Sequence, residues 1–211
     1  TAAYFGVKKA CEPLHVQWNA LTDSVEIVNR TAAEQRNLVV EVQLFNKNGR
    51  EMMCEDHIVS VKPDETLAAL PIPSLSRMLA DEKVGFLRLR LTNPEGNAVL
   101  SENTYVCGSE TGNYQALKSL PQAALKVEKT ALSPTKFLVT LRNDSPHPAL
   151  MLRLNLKADD GEQILPVIYS DNYFHLMPGE QQMVSIEWNE RDARGRQAVV
   201  EVSGYNVPLS R

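Results

Sequence analysis

Apolar and polar residues alternate with a period of two along several stretches of this chain. That is the pattern of half-buried strands, because successive side chains leave opposite faces of a pleat. Leu38, Val40, Val42 and Leu44 alternate with Val39, Glu41 and Gln43 and stop at Asn46-Lys47-Asn48-Gly49. Leu87, Leu89 and Leu91 alternate with Arg88 and Arg90 before Asn93-Pro94-Glu95-Gly96-Asn97, which predicts a hairpin turn. Further on, Phe137, Val139 and Leu141 repeat the pattern, and Leu150, Leu152, Leu154 and Leu156 carry it to Asp159-Asp160-Gly161. Strands are also predicted over 183–188 and 198–204, with one short helical exception over 74–80.

The two halves share a grammar. A strand ends at Asn29-Arg30-Thr31 in the first and at Asn143-Asp144-Ser145 in the second, and the alternating strand that follows ends at Gly49 and at Gly161. Asn143 follows Asn29 by 114 positions and Gly161 follows Gly49 by 112, so two copies of one unit fit within the 211 residues. A sandwich of about seven strands needs about 100 residues, with turns every 8 to 12. The fold class is therefore all-β, with two tandem immunoglobulin-like β-sandwiches. The expected division is an extended lead-in over 1–13, a first sandwich over 14–112 and a second over 113–211. The junction is placed in the small, polar stretch Cys107-Gly108-Ser109-Glu110-Thr111-Gly112-Asn113.

Composition narrows the function. Twelve prolines against ten glycines, with 6% aromatic residues, suit short strands and many turns. The hydrophobic 43% is dispersed and mean hydropathy is -0.27, so no run approaches the roughly 20 apolar residues of a membrane span. Lys+Arg 22 against Asp+Glu 26 gives a net charge of -4, which offers no basic surplus for nucleic acid. Residue 1 is Thr rather than Met, which predicts a processed or excised piece. Cys11, Cys54 and Cys107 lack the close pairs of a zinc or redox motif and read as thiols, buried or half-buried as small hydrophobes.

Nothing in the sequence assembles a catalytic site. His15, His57, His147 and His175 are scattered, without metal-ligand spacing, and no Gly-x-Ser-x-Gly elbow is near. His147, between two prolines, is placed on an exposed loop. The strand carboxylates Glu41, Glu187 and Glu201 alternate with core residues and should face solvent, whereas a retaining glycosidase needs two carboxylates about 5 Å apart. Asp159-Asp160-Gly161-Glu162 lacks the alternate ligands of a calcium loop and reads as a hairpin turn. Asn29-Arg30-Thr31 and Asn143-Asp144-Ser145 match the N-glycosylation pattern, but their place at strand ends favours turns. Neither a metal nor an organic cofactor is expected. The densest cluster is Tyr169-Ser170-Asp171-Asn172-Tyr173-Phe174-His175-Leu176-Met177-Pro178-Gly179-Glu180. There Pro178-Gly179 should reverse the chain, Phe174 and Leu176 should anchor the core, and Asp171 and Asn172 should cap the loop.

Three segments resemble a known family. Tyr4-Phe5-Gly6-Val7-Lys8-Lys9-Ala10-Cys11-Glu12-Pro13-Leu14-His15-Val16-Gln17-Trp18 is similar to the segment that leaves the catalytic barrel in glycoside hydrolase family 2, in the branch of β-mannosidases and exo-β-D-glucosaminidases. The stretch 169–180 resembles the last immunoglobulin-like domain of those enzymes, and Asn113-Tyr114-Gln115-Ala116-Leu117 their inter-domain connection. The resemblance implies a C-terminal, non-catalytic region whose partner is its own upstream catalytic barrel, in a parent that is a retaining β-glycosidase cleaving a β-linked oligosaccharide. The lean is towards a β-mannoside over a β-glucosaminide. The acid/base and nucleophile glutamates belong to the barrel, so no catalytic residue is assigned here. Asp171, Asn172 and Tyr173 are the candidate substrate-rim residues, and the setting implied is periplasmic or secreted. The alternative is a free-standing extracellular carbohydrate-binding or protein-interaction module. The apolar lead-in at 4–10 favours the accessory region.

Overall fold

The computed structural model describes residues 1–95, 97–110 and 112–210, so Gly96 of the predicted turn and Thr111 of the predicted junction lie outside the described residues. The chain divides into two compact units, Gly6–Ser119, and Leu120–Arg211 together with Thr1–Phe5. The chain opens with helix α1 (Ala2–Ala10). This corrects the extended lead-in: the segment is rich in Ala and Lys, has Val7 as its single β-branched residue, and ends on Lys8 and Lys9, which suit a helix C-terminus.

In the first sandwich, strands β1 (Leu14–Asn19), β2 (Ser24–Asn29) and β5 (Glu65–Pro71) form one sheet in the order β1-β2-β5. The facing sheet runs β4-β3-β6-β7, from β3 (Gln35–Asn46), β4 (Glu51–Val61), β6 (Val84–Thr92) and β7 (Val99–Gly108). All pairings are antiparallel. Val40, Val42 and Leu44 face Leu91, Leu89 and Leu87 across the β3–β6 ladder and, with Leu38, share one core with Val16, Val25 and Ile27 of the other sheet. Helix α2 (Leu75–Met78) supplies Leu75 to the same core, and Leu79 just after it adds another side chain. The predicted junction is not a free linker, because Ser109 N–H donates to the Lys83 carbonyl and Asn113 N–H to the Glu110 carbonyl. A Cβ on Gly108 would meet the carbonyl oxygens of Asn113 and Glu110 at 2.8 and 2.9 Å. The unit therefore runs on through a 3-10 turn, Gln115–Ser119.

The second sandwich pairs strands β8 (Leu125–Ser133), β9 (Lys136–Asn143), β11 (Val167–Tyr169) and β13 (Gln181–Trp188) in the order β11-β13-β9-β8. Its facing sheet runs β12-β10-β14, from β10 (Ala149–Ala158), β12 (Phe174–Leu176) and β14 (Ala198–Ser203), with helix α3 (Glu190–Ala193) before β14. Leu152, Leu154 and Leu156 interlock with Val139, Leu141, Val184 and Ile186 in a core of its own.

The internal repeat is written in hydrogen bonds as well as in spacing. Asn29 is wholly buried; its Nδ2 donates to the carbonyls of Ala33 and Lys62, both at 2.9 Å, and its Oδ1 accepts from Thr31 N–H and Thr31 Oγ1. Asn143 is wholly buried too, with Nδ2 donating to His147 and Leu176 carbonyls at 2.8 and 2.9 Å and Oδ1 accepting from Ser145 N–H and Oγ. The next turn repeats as well. Glu65 accepts from Lys62 N–H and Glu180 from Met177 N–H, each at 2.8 Å, around Pro63-Asp64 and Pro178-Gly179. Asp64 and Gly179 both hold left-handed φ, 50° and 80°. Each asparagine commits both amide hydrogens inward, which fits the turn reading of both sequons.

Candidate functional site

The cluster predicted at 169–180 folds as a scaffolded loop. Tyr169, at the end of β11, accepts a hydrogen bond at its hydroxyl from Leu156 N–H at 2.8 Å. Asn172 is 4% exposed, and its Oδ1 accepts from Leu154 N–H while its Nδ2 donates to the Leu154 carbonyl, both at 2.9 Å. The amide thus occupies the place of a neighbouring strand's peptide group on β10. The donor and the acceptor of Asn172 are thus both engaged inside the fold. Asp171 is half-buried, accepting from Asn172 N–H at 2.8 Å and from Gln182 Nε2 at 3.5 Å. Phe174 packs on the core beside buried Leu176, as expected.

Tyr173 stands at φ 62, a left-handed conformation rare for an aromatic residue, supported by Asn172 Oδ1 accepting its N–H. Its ring meets Phe5 of α1, centroids 6.1 Å apart, and Phe5 meets Tyr4 edge-on at 5.1 Å. Residues 168 positions apart in sequence thus form one aromatic contact between the lead-in helix and the loop. Beside it, β10 is bulged between Ala149 and Leu152, with Met151 at φ 52, and His175 Nδ1 accepts the Met151 N–H that the ladder does not pair. Burial pushes the His175 imidazole down to about 4, so it stays neutral with its proton on Nε2.

The structure also gathers Glu12, His15, Ser101 and Asn103, a grouping that sequence spacing does not reveal. Ser101 Oγ donates to Glu12 Oε2 at 2.6 Å and accepts from Val16 N–H, His15 Nδ1 lies 3.2 Å from the same carboxylate oxygen, and Asn103 Nδ2 lies 3.2 Å from His15 Nε2. A serine nucleophile needs its proton directed at the imidazole. Here the hydroxyl is 3% exposed and its proton goes to the carboxylate, so the group works as a clamp between the segment after α1 and strands β1 and β7. Burial raises the Glu12 carboxyl, but the hydrogen bonds from His15 and Ser101 and the nearby Lys9 charge outweigh it and hold it below its ordinary value.

The remaining candidates are structural, some not where alternation put them. Glu41 accepts from Arg88 at 3.1 Å, and Glu187 pairs with Lys136. Glu201 does not face solvent: it is 5% exposed and pairs at 2.7 Å with Lys157, which stands on the same face of β10 as Asn155, the register partner of Glu201. Asp160 and Glu162 both accept from Arg196, at 2.8 and 2.6 Å, which binds the 159–162 turn as a hairpin. His147 is half-buried rather than exposed, because its carbonyl is drawn in by Asn143 and Ser145. Among the cysteines only Cys107 is buried, and burial raises its thiol to about 12; Cys11 and Cys54 are exposed, at a helix end and on the outward side of β4. Among the described residues no cluster of His, Cys, Asp and Glu could hold a metal ion, and no helix is long and apolar enough to cross a membrane.

Comparison with known proteins places this arrangement. Residues 103–207 match the exo-beta-D-glucosaminidase Ig-fold domain family. Over 97% of its length the chain is 33% identical to an exo-beta-D-glucosaminidase of Streptomyces avermitilis, of which it covers 25%. Over 89% of its length it is 26% identical to a mannosylglycoprotein endo-beta-mannosidase of Lilium longiflorum, covering 26% of that protein. The solved exo-chitosanase CsxA of Amycolatopsis orientalis superposes with a TM-score of 0.86 across 99% of this chain and 27% of that chain, at 25% identity. The chain spans about a quarter of the length of the curated relatives it matches.

Proposed function

Because this chain belongs to the C-terminal immunoglobulin-like region of family 2 glycosidases of the exo-β-glucosaminidase and β-mannosidase type, we propose that it braces the catalytic barrel of such an enzyme through its lead-in helix. The observation that carries this reading is the Phe5–Tyr173 contact, in which a strained loop of the second sandwich grips an aromatic residue of α1. The Glu12–His15–Ser101 clamp fixes the next segment of the same lead-in to the first sandwich. A segment held this firmly on its C-terminal side gives an upstream domain a defined anchorage. A free-standing module has no need of it.

The parent reaction in this reading is retaining hydrolysis at the non-reducing end of a β-linked saccharide, by two barrel glutamates that form and then hydrolyse a glycosyl-enzyme. The names of the relatives favour a β-glucosaminide over the β-mannoside that the sequence leaned towards. A polymeric substrate of that kind is met outside the cytoplasm, which supports a periplasmic or secreted setting. The 211-residue chain itself supplies no reacting group. Assayed on aryl β-glucosaminide and β-mannoside it should give no turnover, and the same chain joined to its barrel should cleave the glucosaminide with the anomer retained. Turnover by the chain alone, or inversion by the joined enzyme, would overturn the proposal.

A further inference from the structure

The turn that ends the alternating strand is built the same way in both copies. In the first, Asn46 N–H donates to the Arg50 carbonyl at 2.9 Å and Gly49 N–H to the Asn46 carbonyl at 3.0 Å, with Gly49 at φ 86. In the second, Ala158 N–H donates to the Glu162 carbonyl at 2.8 Å and Gly161 N–H to the Ala158 carbonyl at 2.9 Å, with Gly161 at φ 89. The left-handed position suits glycine in each. The residue before it differs: Asn48 in one copy, Asp160 in the other.

The two side chains are held differently. Asp160 accepts from Arg196 at 2.8 Å with one carboxylate oxygen and from Glu162 N–H at 3.0 Å with the other, and these bonds, that of Arg196 first, hold its carboxyl below the ordinary value. It stays ionised, and a carboxylate is a poor target for a nucleophile. Asn48 is exposed; its backbone N–H donates to Asn46 Oδ1 at 3.0 Å, while among the described residues no hydrogen bond holds its side-chain amide. The two asparagines followed by alanine are tied down by contrast. Asn19 donates to Glu26 at 2.8 Å and accepts from Leu21 N–H at 3.0 Å, and Asn97 accepts from Asn93 Nδ2 at 2.8 Å. Glycine has no Cβ to shield its backbone nitrogen, so before Gly49 that nitrogen has the least hindered approach to an asparagine side-chain carbonyl.

We propose that Asn48 is a site of spontaneous deamidation through a cyclic imide formed with Gly49. The Gly49 nitrogen loses its proton to base and bonds to Asn48 Cγ. The Cγ–Nδ2 bond breaks, and the amide nitrogen leaves as ammonia with a proton taken from solvent. The ring holds the Gly49 nitrogen and the Cγ, Cβ, Cα and main-chain carbonyl carbon of Asn48. Water then opens it: addition at Cγ gives aspartate, and addition at the main-chain carbonyl gives an isoaspartyl linkage, in which the chain runs through Cβ and Cγ. Nothing is oxidised or reduced, and the sum is one water consumed and one ammonia released.

The Gly49 N–H must first leave the Asn46 carbonyl. A hydrogen bond at an exposed loop tip lies at the low end of local opening energies, so the turn admits the reaction without global unfolding. The two products differ in consequence. Aspartate reproduces the residue that the second copy carries in its own turn. Isoaspartate adds one carbon to the main chain between Asn46 and Arg50, where Asn46 Oδ1 holds the N–H groups of Asn48 and Arg50, both at 3.0 Å, and so loosens the closure of β3 on β4.

The test incubates the full-length glycosidase, folded, at mildly alkaline pH, where base removes amide protons, and maps its peptides by mass spectrometry with fragmentation that tells aspartyl from isoaspartyl linkages. Within this region the peptide holding Asn48 should convert to both products at least about tenfold faster than any other asparagine-containing peptide. Asp160 should accumulate no comparable isoaspartate. The Asn48→Gln variant keeps the amide but would have to close a six-membered ring, and should convert at least about tenfold more slowly. Conversion at Asn48 only after urea denaturation would overturn the proposal by showing that the turn protects the site. Faster conversion at Asn19 or Asn97 would overturn it by placing the reactive amide elsewhere. Aspartate as the sole product, or an equal rate in the Asn48→Gln variant, would overturn the imide route in favour of direct hydrolysis.

Discussion

The two sandwiches are close copies at one end and unlike at the other. At the strand ends marked by Asn29 and Asn143, a buried side-chain amide gathers the following turn and a carbonyl at the end of a distant strand, Lys62 just after β4 in one copy and Leu176 of β12 in the other. At the other end they diverge: four residues join β3 to β4 in the first, whereas the connection from β10 to β12 in the second carries β11 and Tyr173. The part that holds turns against strands is thus common to both, and the connection between two strands of one sheet is where the copies differ. Tyr173 at the end of that connection meets the lead-in helix, and His175 just after it accepts the Met151 N–H at the β10 bulge.

If the asparagine clamps are equivalent, Asn29→Ala and Asn143→Ala should each cost about 2–4 kcal/mol, since each strands several buried backbone partners. Urea denaturation should give values agreeing to within about 1 kcal/mol. A large cost in one copy and almost none in the other would break the equivalence.

A smaller effect should separate the copies by pH. The folded value of His175 is depressed from 6.5 to about 4, so the unfolded chain binds the proton more readily. Stability from the neutral imidazole is complete above about 6.5, falls as the pH drops from 6.5 towards 4, and levels off below that. The loss should be on the order of 2 kcal/mol, in the unit holding β8–β14. Unfolding followed across that range should show the loss, and His175→Gln should flatten it; an unchanged slope in the variant would remove His175 as the cause.

Much of this was legible in the sequence because burial on one face leaves a period of two. Leu38–Leu44 and Leu150–Leu156 report their strands directly, and the Asn-x-Ser/Thr spacing reports the repeat. What escaped had no such signal. Strand β8 is exposed along most of its length, so nothing alternates. Helix α1 buries no residue completely, so no apolar stripe announces it. Asn172 reads as a polar loop residue because its partner, Leu154, is 18 positions away and offers only backbone. Glu201 reads as solvent-facing because alternation assigns a side chain to a face and is silent on what shares that face. The Glu12–His15–Ser101 clamp joins residues 89 positions apart and becomes visible only once β1 and β7 are opposed.

The bracing role is tested most directly in the full-length glycosidase by replacing both rings of the contact, Phe5→Ala with Tyr173→Ala, and reading thermal stability and kinetics on the same preparation. Loss of the aromatic contact should lower Tm by about 2–4 °C, with KM for an aryl β-glucosaminide unchanged to within about twofold. A KM several-fold higher at an unchanged Tm would contradict the account and return Tyr173 to the rim of the substrate cleft.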